Sequence, residues 1–286
     1  MTVSTGKFAS IALAAIGLSL GVAGAARADV LPVTDLQFNQ LTNPFNPANS
    51  QKDFFNSVAP VGWSAGTAGA NGSLTYVGKQ GSEGFTGGSG NVYPVFTTPG
   101  FSVTVPAGTN FFQADGNPSF ENTIMQTVMG LTAGTTYTLQ FQQAAGQQIN
   151  FSGPTTEQWL VFLGTGGIGV DCSTNPCTPT VPTGNLEDMS TLMNTPSQMN
   201  TDWNSVTLSF TPTPADLGAG GSAVLTFLAW GDGGSTTNLP PTVFLEGVNT
   251  PVVGTPEPAS LSLLGVGLLG LGGIALRRRA KRNAAV

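Results

Sequence analysis

The sequence predicts an all-β protein built as an antiparallel β-sandwich. Apolar and polar residues alternate at 101–105, 137–142 and 206–210, and this period of two is typical of a strand with one buried face. Glycine-rich turn sequences separate the segments, and no helical period lasts for ten residues in the middle of the chain. We therefore expect one domain whose sheets pack face to face.

Three further runs have apolar residues on both faces, which is typical of central strands buried on both faces. These runs are 159–163, 223–230 and 242–248. The segment from Leu186 to Met199 is less regular. It allows one short helix with Leu192 and Met193 facing inward, but Pro196 interrupts the pattern, so a loop is an equal alternative.

The N-terminal segment 1–28 has the pattern of a signal peptide. Lys7 supplies the positive charge, an apolar run follows, and an A-x-A pattern ends at Ala28. We expect signal peptidase to cut between Ala28 and Asp29. A membrane anchor that is retained is the alternative interpretation.

Near the C-terminus, residues 259–276 form an uncharged segment of 18 residues. As a helix it is about 27 Å long, enough to cross the hydrocarbon core of a membrane. The tail 277–286 follows with five basic residues, Arg277, Arg278, Arg279, Lys281 and Arg282. Because a basic flank resists translocation, we expect this tail to stay in the cytoplasm and the body of the protein to be exported.

Pro256, Glu257 and Pro258 precede this helix in the linker 251–258. The order of Pro-Glu-Pro, apolar span and arginine cluster resembles the PEP-CTERM sorting signal of Gram-negative bacteria. The resemblance implies recognition by exosortase, a membrane-embedded processing enzyme of organisms that make exopolysaccharide. It also implies a transient membrane anchor before the protein reaches the cell surface or the extracellular space. A plain tail anchor is the alternative.

The remaining part, with its predicted β-sandwich at 29–250, is acidic. Between residues 29 and 255, two lysines and no arginine stand against 14 acidic residues, which gives a formal net charge of −12. Nucleic acid is excluded as a partner, since phosphate binding needs clustered basic residues. Cations are better partners for this surface.

The chain contains no histidine, which excludes Ser-His-Asp and Cys-His catalysis and imidazole-bound zinc. Its two cysteines, Cys172 and Cys177, are close in sequence, and in an exported protein we expect them to form a disulfide that closes a small loop. A metal site with two cysteine ligands is the alternative.

Several stretches resemble the galactose-binding-like jelly rolls of exported proteins. They are Gly62-Trp63, GLTAGTTYTLQF at 130–141, DWNSVTLSFTPT at 202–213 and TVFLEGV at 242–248. In that fold an acidic residue often occupies the position of Glu246 and shares a calcium ion with groups of the first strand. The resemblance therefore implies a candidate structural calcium at Glu246 and Asp35, and no other cofactor.

The tryptophans are candidates for sugar binding, because the apolar face of a sugar packs on an aromatic ring while polar side chains bind its hydroxyls. Trp230 ends an apolar run, with Asp232 and Asn238 after it, and we regard these three residues as the candidate glycan-binding site. We expect the other three, Trp63, Trp159 and Trp203, to pack in the core.

No enzyme site emerges from the sequence. The Gly164–Gly169 segment matches G-x-G-x-x-G, but two prolines and the cysteine loop follow instead of a helix, so it predicts a turn. Glu157, Glu187 and Asp188 are expected to be solvated acids, without the spacing that glycoside hydrolysis needs. We expect a non-enzymatic surface or matrix protein that binds glycan, with exopolysaccharide as its candidate partner. A structural adhesion or coat protein is the alternative, and a polysaccharide-active enzyme is less favoured.

Overall fold

The structure of the chain is a computed structural model. It describes residues 28–35, 37–45, 52–54, 58–66, 75–78, 110–117, 123–148, 151–171, 178–232 and 241–247. The strands are β1 Asp29–Val30, β2 Lys52–Phe54, β3 Trp63–Ala65, β4 Thr75–Gly78, β5 Phe111–Asp115, β6 Thr123–Val128, β7 Tyr137–Gln147, β8 Thr155–Gly164, β9 Gly169–Asp171, β10 Thr178–Thr180, β11 Asn185–Met189, β12 Met193–Thr195, β13 Asn204–Phe210, β14 Ala223–Asp232 and β15 Pro241–Glu246. Two short 3-10 turns follow β13, at Pro214–Asp216 and Ala219–Gly221.

Most of these strands belong to two sheets. Sheet I has the order β2-β4-β5-β15-β7-β13, and β1 adds to β7 in parallel. Sheet II has the order β3-β6-β14-β8-β11, and β12 also pairs with β8. Every pair except β1 with β7 is antiparallel, as predicted.

The two sheets enclose one apolar core. Phe141 of sheet I and Phe227 of sheet II meet edge to face, with their ring centroids 5.3 Å apart. Trp159 lies on sheet II, and its indole N–H donates a 3.1 Å hydrogen bond to the Phe244 carbonyl of sheet I. Burying an apolar side chain of this size contributes about 1.5–3 kcal/mol. Rings from both sheets thus hold the sandwich together.

The alternating and apolar runs of the sequence are found as strands. The segment 137–142 lies in β7 and 206–210 lies in β13. The three runs with apolar residues on both faces correspond to β8, β14 and β15, each a central strand of its sheet. The predicted strand at 101–105 lies outside the described residues. The jelly-roll connectivity is a finer assignment and stays a prediction.

The prediction of a helix or loop between Leu186 and Met199 is wrong. This segment contains β11 and β12, which both pair with β8. Met193 is buried as predicted, but Leu192 is exposed. Pairing with a central strand satisfies the backbone without helical periodicity, and Pro196 follows directly after β12, where a residue without an N–H is tolerated.

The predicted disulfide and membrane segments lie outside the described residues. Strands β9 and β10 pair Asp171 with Thr178, so the two ends of the 172–177 segment that holds the cysteines are adjacent. Within the described ranges no helix has the length and apolarity needed to cross a membrane. The predicted span 259–276, the signal segment and the tail arginines are not among those ranges.

Candidate functional site

Strand β15 divides its side chains between the core and the outer face of sheet I. Val243 and Leu245 belong to the apolar core. The alternation of a strand therefore places Thr242, Phe244 and Glu246 on the opposite face. Glu246, the acid for which calcium binding is predicted, is the last residue of this strand and only 1% exposed.

Neighbouring strands extend this face. On β5, Phe112 and Ala114 belong to the core, so Phe111, Gln113 and Asp115 lie on the same side as Phe244. The register pairs Gln113 with Phe244 on one side and with Tyr76 of β4 on the other. We call this set, together with Trp203, the sheet I patch: Tyr76, Phe111, Gln113, Asp115, Trp203, Thr242, Phe244 and Glu246.

Aromatic rings meet at the centre of the sheet I patch. The Phe244 ring lies 6.1 Å from the Phe111 ring and 6.3 Å from the Trp203 ring, measured between centroids. The indole N–H of Trp203 and the hydroxyl of Thr242 are both buried and have no hydrogen-bond partner among the described residues. Because an unpaired buried polar group costs free energy, a polar ligand that reached these groups would recover part of that cost. Trp203 is the half-buried member of the patch, and the other seven side chains are at most 2% exposed.

The segment that carries Trp203 is attached to the end of β7. Asn200 forms a bridge with Gly146, and the Thr201 N–H donates to the Ala145 carbonyl at 2.9 Å. The Thr201 hydroxyl in turn accepts the Ala145 N–H at 2.8 Å. These contacts fix the segment over sheet I, and the glycine at 146 is needed because a Cβ there would lie 2.9 Å from the Asn200 side chain. Trp203 is left half-buried over Phe244.

Sequence reasoning placed Trp203 in the core, together with Trp63 and Trp159. The two latter residues are buried and belong to the core cluster, as predicted. Trp203 is instead half-buried beside the outer face of sheet I. Its position before β13 gave no signal for this, because the contact with Phe244 depends on β15, which lies far away in the sequence.

The two carboxylates of the sheet I patch lie on different strands, far apart along the sheet. Asp115 is opposite Thr242, and Glu246 is four residues further along the same strand, so their Cα atoms are about 14 Å apart. Glycoside hydrolysis uses carboxyls separated by about 5–9.5 Å. Asp115 also accepts the Asn117 N–H at 2.7 Å, which stabilises the turn after β5.

A third carboxyl, Glu157, lies inside the sandwich. Sequence reasoning expected a solvated acid, but its side chain is fully buried, on the same side of β8 as Trp159. The Thr195 hydroxyl donates a 2.7 Å hydrogen bond to one of its oxygens, and the other oxygen has no partner. Burial raises the pKa of Glu157 to about 7, and the hydroxyls of Thr155 and Thr195 lower it only in part.

Glu187 and Asp188, the other two acids considered for catalysis, lie on β11 at the edge of sheet II. Glu187 is exposed and Asp188 is half-buried. Neither shares a strand with Asp115 or Glu246, so the described acids are spread over different faces of the molecule.

Asp35, the second predicted calcium ligand, occupies a tight turn. Its two carboxylate oxygens accept the N–H groups of Asn39 at 2.9 Å and Gln40 at 3.0 Å. The turn is tied to β5 because the Asn110 N–H donates to the Gln37 carbonyl, and Asn110 directly precedes Phe111. Among the residues that the structure describes, no group of three acidic, cysteine or histidine side chains is placed to hold a metal ion.

The predicted Trp230 site lies on the other side of the molecule. Trp230 is on β14, opposite Gln158 of β8, and its ring packs against a small apolar cluster on the outer face of sheet II. The cluster consists of Leu160, Phe162, Ile168 and Leu228. Trp230 is half-buried, Asp232 is the last residue of the same strand, and Asn238 lies outside the described ranges.

The G-x-G-x-x-G segment is a turn, as predicted. Gly164 ends β8 and Gly169 begins β9, and the described residues 164–171 contain no helix. At Gly164 a Cβ would lie 2.1 Å from the Asn185 side chain, so the glycine allows β8 and β11 to approach each other.

The comparison with protein families gives one match. Residues 255–279 match the PEP-CTERM protein-sorting motif. This agrees with the resemblance read from Pro256, Glu257, Pro258 and the arginine cluster, and a motif of this kind implies export and processing by an exosortase. No curated protein matches the chain.

Solved structures offer distant likenesses. The apo form of a cyclase from Fischerella sp. shares 14% identity over 78% of this chain and 95% of that one, with a TM-score of 0.41. TmCBM61 in complex with β-1,4-galactotriose shares 11% identity over 68% and 90%, with a TM-score of 0.33. The enzymatically active domain of tailspike protein 4 of bacteriophage CBA120 shares 10% identity over 65% of this chain but only 19% of that one, with a TM-score of 0.32. Because these TM-scores lie below 0.5, nothing about the activity of this chain follows from them.

Proposed function

We propose that this protein is an exported, exosortase-sorted protein of the cell surface or extracellular matrix, and that its β-sandwich binds glycan without acting as an enzyme. The observation that carries the glycan proposal is the sheet I patch. It combines the Trp203 ring with buried polar groups, and two of these, the Trp203 indole N–H and the Thr242 hydroxyl, have no hydrogen-bond partner among the described residues. Aromatic faces and unpaired polar groups together are what sugar recognition needs.

The charge of the molecule supports a neutral or cationic partner. The segment 29–255 has a formal net charge of −12 and contains no arginine. Such a surface repels nucleic acid and other polyanions. A neutral polysaccharide carries no charge for this acidic surface to repel. An acidic exopolysaccharide would need calcium ions to bridge it to the protein.

The non-enzymatic character is supported by the arrangement of the described carboxyls. The Cα atoms of Asp115 and Glu246 are about 14 Å apart along sheet I. Glu157 is fully buried between the sheets. A structural adhesion or coat protein without sugar binding is the second candidate, and the exposed apolar side chains Met189 and Leu192 are compatible with it.

A comparison of Trp203→Ala with Trp230→Ala tests the glycan proposal. Both residues are half-buried tryptophans, but they lie on different sheets, so each variant is the control for the other. The protein and both variants are applied to a glycan array that includes the producer's exopolysaccharide, with and without calcium. We expect Trp203→Ala to weaken binding at least tenfold and Trp230→Ala to leave it unchanged.

The opposite result would move the site to Trp230 and Asp232 on sheet II. Absence of binding by the folded parent protein in both conditions would overturn the glycan proposal in favour of a structural role. Release of soluble sugar from the polysaccharide would contradict the non-enzymatic assignment. Binding that depends on calcium and is lost in Glu246→Gln would support the candidate calcium site.

A further inference from the structure

Strand β13 is the outermost strand on its side of sheet I. Gln142 and Gln143 of β7 each pair with β15 and with β13, so these two strands flank β7 on opposite sides. Strand β1 pairs with Tyr137 and Thr138 of β7, and the end of β13 pairs with the same two residues. Strand β1 therefore lies on the opposite side of β7 from β13, the side that β15 also occupies. Within the described ranges, β7 is the only strand that pairs with β13. No other described strand lies along its second edge, where the backbone N–H and C=O groups point away from β7.

The other outer strands of the two sheets are short or charged. Strands β2, β3 and β12 have three residues each, and β2 contains Lys52 and Asp53. Strand β11 has five residues and contains Glu187 and Asp188. Short length and charge are the usual means by which edge strands avoid pairing with other chains.

Strand β13 is neither short nor charged. It pairs with β7 over seven consecutive residues without a bulge, and it contains no charged residue and no proline. The outward side chains Ser205, Thr207 and Ser209 are exposed, and Val206 and Leu208 are buried. At about 3.4 Å per residue the open edge is roughly 20 Å long.

The sequence of β13 is close to a palindrome. Asn204 to Phe210 reads NSVTLSF, and the five central residues read Ser-Val-Thr-Leu-Ser around Thr207. In an antiparallel pair of two copies with a two-fold axis at Thr207, Ser205 of one copy faces Ser209 of the other, and Val206 faces Leu208. Each face of the extended sheet then keeps its own chemistry, polar outside and apolar inside.

We propose that β13 is a self-association edge, at which two copies of this chain pair antiparallel about Thr207 and join their sheets I into one continuous sheet. A two-fold contact of this kind uses the same surface on both partners, as homodimers commonly do. It is a separate proposal from the glycan one: the sheet I patch lies on β4, β5 and β15, and its member Trp203 precedes β13, outside the paired residues Asn204–Phe210.

The expected association is weak. A single seven-residue edge is small beside the roughly 1,200–2,000 Å² buried in stable protein interfaces. The net charge of −12 on the segment 29–255 also opposes the approach of two copies, and salt screens this repulsion. We therefore expect pairing at high local concentration, as on a cell surface, and stronger pairing as the salt concentration rises.

A charge exchange at positions 205 and 209 tests the proposal. In Ser205→Lys/Ser209→Lys the pairing places like charges opposite each other, whereas in Ser205→Lys/Ser209→Glu it places opposite charges together. Both positions are exposed on the outer face, so both variants should fold. The full chain is studied in nonionic detergent by sedimentation over a range of concentrations, with Thr127→Lys, an exposed site on β6 of sheet II, as the control.

We expect the dissociation constant of the dimer to rise at least about threefold in the lysine pair and to return to the parental value or below in the lysine–glutamate pair. The control should match the parent. Equal dissociation constants in both double variants would overturn the proposal, as would a parent chain that stays monomeric at all concentrations and salt levels.

Cysteine cross-linking tests the register. Thr207→Cys places two thiols opposite each other at the two-fold axis, so the full chain should form a covalent dimer under oxidation, beyond any background from Cys172 and Cys177 in the parent. Ser205→Cys alone should cross-link much less, and it should form dimers when mixed with Ser209→Cys. Dimers of Ser205→Cys as abundant as those of Thr207→Cys would contradict the register about Thr207.

Discussion

The side chains that sequence reasoning placed correctly are those whose environment depends on their own strand. Trp159 lies in the middle of an apolar run, and burial in the core follows from that run alone. Glu157 and Trp203 were misjudged because their surroundings come from distant segments. Thr195 of strand β12 donates a hydrogen bond to Glu157, and the Phe244 ring of β15 packs beside the Trp203 ring. No local pattern carries that information.

Substituting Glu157 tests its burial through the pH dependence of stability. Its pKa rises from 4.5 to about 7 on folding, so between these values the folded state binds more protons than the unfolded state, and stability falls as the pH increases. The loss over this range is on the order of 3 kcal/mol. In Glu157→Gln we expect this part of the decline to disappear in urea unfolding between pH 4 and pH 8.

Glu187→Gln is the control for this measurement, because Glu187 is an exposed acid on β11. It should retain the parental pH profile. A parental profile in Glu157→Gln as well would show that the carboxyl ionises inside the sandwich without cost.

At the scale of elements, strands with a clear period or a continuous apolar run were predictable, and strands held by pairing were not. Strands β11 and β12 have irregular sequences and pair with the central strand β8. Gln143 of β7 binds the Thr191 carbonyl between them at 2.8 Å, and Gln147 accepts the Gln198 N–H at 2.7 Å after β12. These buried amides fix a segment whose own sequence does not specify a strand.

Connections between elements depend on particular glycines. Gly130, after β6, and Gly221, before β14, both have a positive φ, but only at Gly221 would a Cβ collide with backbone, at 2.1 Å from the Leu131 carbonyl oxygen. Both alanine variants bear the conformational cost of about 1 kcal/mol. We expect Gly130→Ala to lose only this, and Gly221→Ala to lose at least about 2 kcal/mol in urea unfolding. Equal losses would mean that the chain around Leu131 moves without cost.

On the scale of the whole molecule, the sorting tail and the sandwich are separate in sequence and in chemistry. The PEP-CTERM match at 255–279 includes Arg277, Arg278 and Arg279, while the segment 29–255 has two basic residues. The tail was recognisable from sequence because three short signals occur in a fixed order. The binding face was not, because it is assembled from strands β4, β5 and β15 and from the segment before β13.

Substituting Pro256 and Glu257 tests the sorting function of the tail. With both replaced by alanine, we expect the processing enzyme to lose its recognition site, so the chain should stay in the membrane fraction at its larger, unprocessed mass. Pro251→Ala, in the same linker, is the control and should be released like the parent. Fractionation of the producing cells followed by mass measurement decides between these outcomes, and release of the double variant at the parental mass would contradict recognition through Pro256 and Glu257.

The first strand starts at Asp29, the residue that the expected signal cleavage turns into the amino terminus. Its nitrogen donates a 2.9 Å hydrogen bond to the Thr136 carbonyl, and Leu31 donates to Thr138 two residues later. With the cut expected before Asp29, a protonated amine would make the first of these bonds. A cut two residues further along would remove β1 altogether. The expected cleavage position therefore coincides with the start of sheet I, and the length of the β1–β7 pairing would depend on where the cut falls.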